Sequence, residues 1–159
     1  KYLEGTTETD MTTVVEGAML TYGSLGVGQS TLTTTIDAGD VQHTLTSQWL
    51  EGAMLFGVTR TTTLTLGTGL LSKGTGTVTY SGTEYTSTSA KGSSWFALFG
   101  LEYVLPLTID FIPLEYVEVL LGYRENLLSY SGYQSATTTL DTTVKVKSVQ
   151  TLLGIGLVF

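Results

Sequence analysis

The sequence predicts an all-β fold, a transmembrane antiparallel up-and-down β-barrel of eight strands, with ten as the alternative count. Three observations carry that prediction. Apolar and polar residues alternate with a period of two along several stretches. No stretch can form a membrane helix, which needs about 18 to 20 uninterrupted apolar residues. The composition is also unusual for a water-soluble domain: 42% of the 159 residues are hydrophobic and only 13% are charged, against about 25% charged in ordinary soluble domains. The length suits a single domain over residues 1–159. There is no cysteine, hence no disulfide framework and no thiolate chemistry. A net charge of -7 offers no positive excess to neutralise a phosphate backbone, which excludes nucleic acid as a partner. The sequence begins at Lys1 with neither a signal peptide nor an initiator methionine, in keeping with a processed mature chain.

Strand-forming residues run the length of the chain: 31 threonines and nine tyrosines favour the pleated conformation. Turn signals at Gly26 to Gly28, Asp37 to Asp40, Ser72-Lys73-Gly74, Ser81-Gly82, Gly92 to Ser94, Pro106 to Pro113 and Ser131-Gly132 punctuate it. They divide the chain into strands near 11–25, 29–46, 49–60, 62–72, 75–86, 93–105, 113–131 and 138–159. Two divisions are weak, because 29–46 contains Asp37 to Asp40 and the junction near Arg60 lacks a turn residue. Breaking the chain further around Asp37 to Asp40 raises the count toward ten. Either even number puts both termini on the periplasmic side. Glu16-Gly17-Ala18-Met19-Leu20 recurs as Glu51-Gly52-Ala53-Met54-Leu55, either as equivalent starts of alternate strands or as coincidence.

Within 93–105, Trp95, Ala97, Phe99, Leu101 and Tyr103 share one parity, and Val117, Val119, Leu121 and Tyr123 do so in the next strand. The most apolar stretch, Trp95 to Tyr123, is broken as a helix by Glu102, Pro106, Asp110, Pro113, Glu115 and Glu118. The C-terminal strand is the clearest of all. Leu153, Ile155, Leu157 and Phe159 fall on one face, and Gly154 and Gly156 on the other. In water such an edge would pair with copies of itself; in lipid it fits a closed barrel, whose backbone groups are all paired internally.

With its terminal phenylalanine and alternating apolar residues, Thr151 to Phe159 resembles the last strand of small bacterial outer-membrane β-barrels of the OmpA-transmembrane, OmpX and Ail type, and Gly122-Tyr123-Arg124 is a looser echo. The resemblance extends over about the whole length. It implies a bacterial outer-membrane location, membrane lipid as a partner, lipopolysaccharide included, and a monomer with no cofactor.

The same parities turn Glu16, Glu51, Glu102 and Glu118 inward, toward the periplasmic half, with Arg124 as the cation of an interior polar network. An eight-stranded barrel is just wide enough for side chains to fill, which favours a structural plug over a conducting path. Trp95, Tyr103 and Tyr123 point to lipid, whereas Tyr22 and Trp49 share the parity of Glu16 and Glu51. Lys145 and Lys147, joined by Lys91 from a neighbouring loop, are placed to meet lipid headgroups at the outer rim; a solvated strand end is the plainer reading.

Catalysis finds little support. His43 stands alone, read as a solvated rim residue, with no serine at a spacing like that of lipid-modifying barrels. Gly67-Thr68-Gly69 and Gly74-Thr75-Gly76 lack the helix start and lysine of a phosphate loop. No metal site is expected. The expectation is a non-enzymatic structural or surface-interaction protein whose contacts lie in external loops at Gly82 to Gly92 and Ser131 to Thr143. A narrow, porin-like pore or conduit for small or apolar solutes is the alternative, and a soluble β-barrel binding an apolar ligand the second.

Overall fold

The computed structural model describes residues 10–38, 41–87, 89–103 and 116–158. The turn expected across Pro106 to Pro113 and the terminal Phe159 lie outside them. The elements are β1 (Asp10–Tyr22), β2 (Leu25–Ala38), β3 (Val41–Gly57), β4 (Thr62–Tyr80), β5 (Thr83–Ser87), β6 (Ser89–Tyr103), β7 (Tyr116–Ser131), β8 (Tyr133–Gln134), β9 (Thr139–Leu140) and β10 (Val144–Val158). All belong to one antiparallel up-and-down sheet, and no described residue is helical.

Register shows that several of these segments are pieces of longer strands. β5 and β6 pair successively along β4. β8 continues β7 along the same neighbour, since Ser89 faces Ser131 and Thr86 faces Gln134. β9 and β10 likewise run along β8 and β7. The meander therefore has seven long strands among the described residues, not eight. β1 and β10 are its two edges, no ladder joins them, and the sheet is not closed into a barrel. Because seven is odd, β1 and β10 run in the same direction, and the described chain enters at one end of the sheet and leaves at the other. Among the described residues the count is therefore odd, where an even count with both termini on one side is expected.

The miscounted divisions have local causes. Turn residues at Ser72-Lys73-Gly74 form a β-bulge inside β4: the register with β3 shifts between Gln48 and Trp49, leaving Ser72 unpaired and its hydroxyl donating to the Gln48 carbonyl at 3.0 Å. The first turn is Gly23-Ser24, with Gly23 at φ 58°, so Gly26 to Gly28 lie within β2. The sequence around Asp37 to Asp40 does separate two strands, β2 and β3. Near Arg60, hydroxyl chemistry replaces the missing glycine: Thr59 Oγ1 accepts the Thr61 N–H at 3.3 Å while Val58 N–H donates to the Thr62 carbonyl at 2.9 Å. Of the expected external loop Gly82 to Gly92, most of the described part is strand. Its turn is Ser81-Gly82, with φ of 49° and 77°, the mirror-image geometry that suits hairpin twist. The second expected loop holds β8 and β9 and turns at 135–138, where the Ser135 hydroxyl accepts the Thr138 N–H at 3.1 Å.

The sheet curls around one side-chain-filled interior. Buried residues from β2, β3, β4, β7, β8 and β10 meet there in a single cluster that includes Leu32, Leu45, Val78, Leu128, Tyr133 and Val146. The end carrying the 81–82 and 135–138 turns is the upper end here, and the end carrying 23–24 and 58–61 the lower.

Two glycines separate backbone strain from space. A Cβ added at Gly82 or at Gly52 meets nothing within 4 Å, but Gly82 alone has a positive φ. Gly82→Ala should cost about 1–2 kcal/mol, whereas Gly52→Ala should stabilise by about 0.4–1 kcal/mol through a less flexible unfolded chain. Urea unfolding of the two variants against the parent measures both.

Candidate functional site

Strand alternation places the interior groups. On β7 the even positions point inward, burying Arg124 and Asn126, and on β3 the odd positions bury Ser47, Trp49 and Ala53. Arg124 Nη1 bonds to Glu51 Oε1 at 2.5 Å and to the Ser30 hydroxyl at 2.8 Å, and that hydroxyl in turn donates to Glu51 Oε1 at 2.5 Å. The side chains of Arg124 and Glu51 are 2% and 8% exposed. Arg124 Nε donates to Asn126 Oδ1 at 2.9 Å, and Asn126 passes the chain on to Gln150 at 2.9 Å. The guanidinium also lies 5.7 Å from the Trp49 ring centroid, a cation–π distance. Trp49 is held in turn by its indole N–H on the Ser47 hydroxyl at 2.9 Å. One ion pair thus joins β2, β3 and β7 across the interior.

The other expected members of the network lie elsewhere. Glu118 points inward near the lower end and accepts a hydrogen bond from Thr63. Glu102 is its direct cross-strand partner, half-buried on the same face. Arg124 pairs with neither. Glu16 is corrected outright: it is exposed on the outward face with Val14, Leu20 and Tyr22, while Gly17 faces Ser30 across the interior side of the ladder. The apolar residues of β1 fall on both parities, Val15 and Met19 on one and Val14, Leu20 and Tyr22 on the other, so parity alone does not decide its face. The two copies of Glu-Gly-Ala-Met-Leu therefore present opposite faces, since Glu51 and Ala53 point inward and Gly52 and Met54 outward. Ser30, Asn126, Ser148 and Gln150 were not singled out from sequence. A polar residue two positions from Arg124 on the same strand was the available signal for Asn126.

The polarity of both faces reverses along the sheet. In the upper half the interior is apolar, filled by Leu32, Leu45, Val78, Tyr130, Tyr133 and Val146, and the outward face carries Thr33, Thr35, Thr44, Thr46, Thr75 and Thr77. In the lower half the interior is mixed: Arg124, Glu51, Glu118, Thr63 and several glycines lie beside Phe96, Leu55, Leu98 and Leu120. Outward there are exposed rungs such as Leu153, Leu121 and Phe99, and Ile155, Val119 and Leu101, with Leu153 80% exposed. Val14 and Tyr80 are exposed apolar residues above this band. Glu125 faces outward within it, bound to Lys147 at 3.0 Å and receiving the Tyr123 hydroxyl at 3.3 Å. Tyr22, Trp95, Tyr103 and Tyr123 also face outward, with the Trp95 and Tyr123 rings 5.2 Å apart.

Lys91, Lys145 and Lys147 are exposed on the outward face, and Lys91 is on a strand, β6, not in a loop. His43 is also on a strand, half-buried, because β3 already begins at Val41, and among the described residues its Nδ1 has no hydrogen-bond partner. Among the described residues no cluster of His, Asp and Glu could hold a metal.

Removing Arg124 leaves Glu51 buried without its cation. Arg124→Ala should cost about 3–5 kcal/mol, and Arg124→Met with Glu51→Leu should recover most of that loss; denaturant unfolding of the single and double variants tests the pairing. His43 gives a pH signature. Burial holds its pKa below the ordinary 6.5, so the unfolded chain takes up the proton first as pH falls. Its contribution to stability should be complete above pH 6.5 and decline below it, levelling once the folded imidazole also protonates. Stability curves of the parent and His43→Gln should therefore converge or cross as pH drops from about 8 to 5.

No protein-family model, no curated protein and no solved structure matches the chain.

Proposed function

We propose that the chain is a non-catalytic membrane protein of the bacterial outer-membrane type, closed into a barrel in the bilayer, with a structural or surface-interaction role. The observation that carries this reading is the joint reversal of polarity on both faces. A soluble β-protein buries its apolar face along the whole strand; here the lower half exposes its apolar face and buries charge. From Val117 to Leu127, β7 rises about 34 Å at the strand repeat, or about 24 Å across a bilayer at a tilt of about 45°. The apolar band of an outer-membrane barrel is about 25 Å tall. The C-terminal alternation from Thr151 onward, similar to that of small outer-membrane barrels, supports the same reading.

In lipid the outer edges of β1 and β10 need partners, because unpaired backbone groups there are costly. The two edges run in the same direction, so one further strand antiparallel to both completes an even-numbered, eight-stranded cylinder. The upper half then projects into water as a threonine-faced extension around a packed core. That core, with Trp49, Tyr130 and Tyr133 fully buried, blocks the axis and favours a plugged barrel over a pore.

Leu153 pairs with Leu121 near the middle of the band. In bilayers Leu153→Arg should cost about 2–4 kcal/mol, while Gln42→Arg, exposed on the upper outward face, should change stability by less than about 0.5 kcal/mol. Equal small effects, or a folded monodisperse protein without detergent, would overturn the membrane reading. Stable unit conductance steps in a planar bilayer would overturn the plug.

A further inference from the structure

In a chain with a net charge of -7, four of the seven basic residues stand on two adjacent rungs of the outward face: Lys73, Lys91, Lys145 and Lys147. Lys145, Ser129 and Lys91 are direct partners across β10, β7 and β6, and Lys147, Leu127 and Ser93 form the rung below. Lys73 stands on the bulge of β4. At the same height β1, β2 and β3 carry Glu16, Thr31 and Gln48, so the positive charge occupies one side of the sheet. An open groove of about 550 Å³ lies among Lys91, Gly92, Ser93, Ser129, Lys145 and Lys147. Glu125 engages Lys147, while Lys73, Lys91 and Lys145 have no carboxylate within ion-pair reach among the described residues.

We infer that this groove binds the phosphomonoester headgroup of an anionic lipid, an assignment that rests on the membrane reading. The phosphate sits between the Lys91 and Lys145 ammonium groups, where charge-assisted hydrogen bonds are strongest, and the Ser93 and Ser129 hydroxyls supply further donors. Leu127, Leu70 and Leu50 share their rung with Lys147 and Ser93, so Lys91 and Lys145 stand one rung above these leucines, at the height of lipid phosphates in that reading. Leu127 lines the groove, and Trp95 on the next rung, beside Glu125, offers a ring for an acyl chain to pack against. Lysines that only snorkel toward water would attract any anionic headgroup alike, a phosphodiester as well as a phosphomonoester.

Trp95 reports the site because it is exposed beside the groove, whereas Trp49, the other tryptophan, is buried in the interior. The protein is folded into phosphatidylcholine vesicles in which either brominated phosphatidylglycerol, an anionic phosphodiester, or brominated phosphatidic acid replaces part of the lipid, and Trp95 fluorescence is followed. Phosphatidic acid should quench at a lower mole fraction, and its preference should fall about fivefold for each lysine removed in Lys91→Gln and Lys145→Gln. Lys91→Arg with Lys145→Arg should keep it. Equal quenching by the two lipids in the parent would overturn the site while leaving the membrane reading intact. No quenching by either would remove the membrane reading and the site with it. Inorganic phosphate displacing phosphatidic acid better than chloride at equal ionic strength would assign the groove to the free anion and overturn the lipid assignment.

Discussion

The interior is organised around the buried guanidinium of Arg124. A charge that deep persists only when paired and hydrogen-bonded, and here Glu51, Ser30 and Asn126 supply those partners from three strands. The side chains that satisfy it must converge on one height, which couples the registers of β2, β3 and β7. A one-residue slip of any of these strands would turn its contribution to the opposite face. The ion pair also marks the level at which the interior changes from the Leu45, Tyr130 and Tyr133 cluster above to the polar, glycine-rich half below.

Packing accounts for the glycines of that lower half. A Cβ at Gly67 would fall 2.1 Å from the Phe96 ring, and one at Gly100 would collide with the Glu118 carboxylate. Small residues on one strand make room for large ones on its neighbour, so side chains fill the narrow interior. The same strands carry leucine and aromatic side chains outward. Neither half is self-sufficient as a solvent-exposed sheet: the upper half needs water outside and the lower half an apolar surrounding.

The free edges of β1 and β10 are the other constraint. Among the described residues each presents unpaired backbone groups along a full strand, a template for association in water and costly in lipid. Exposed apolar side chains on both edge strands, Leu20 and Tyr22 on β1 and Leu153 and Ile155 on β10, make the edges continuous with the apolar band. In the proposed membrane reading, closure and insertion are therefore one problem, because the strands that would need a lipid surrounding also need backbone partners.

How much was legible in the sequence follows from these interactions. Period-two alternation determined the all-β class and the outward face of β6, β7 and β10, because runs such as Leu153, Ile155 and Leu157 give an unambiguous parity. It determined the inward direction of Glu51 and Arg124 for the same reason. It did not determine the face of Glu16, since β1 mixes threonine, glycine and alanine on both sides and only its ladder with β2 sets which side meets the interior. Nor could it separate a turn from a bulge: Ser72-Lys73-Gly74 has turn composition, and only pairing with Gln48 and Trp49 keeps β4 continuous. Which carboxylate takes Arg124 was likewise a tertiary decision. Glu118 is closer in sequence, but the curl of the sheet brings Glu51 and Ser30 across the interior, and partnership of buried charges depends on distance in space and shared desolvation.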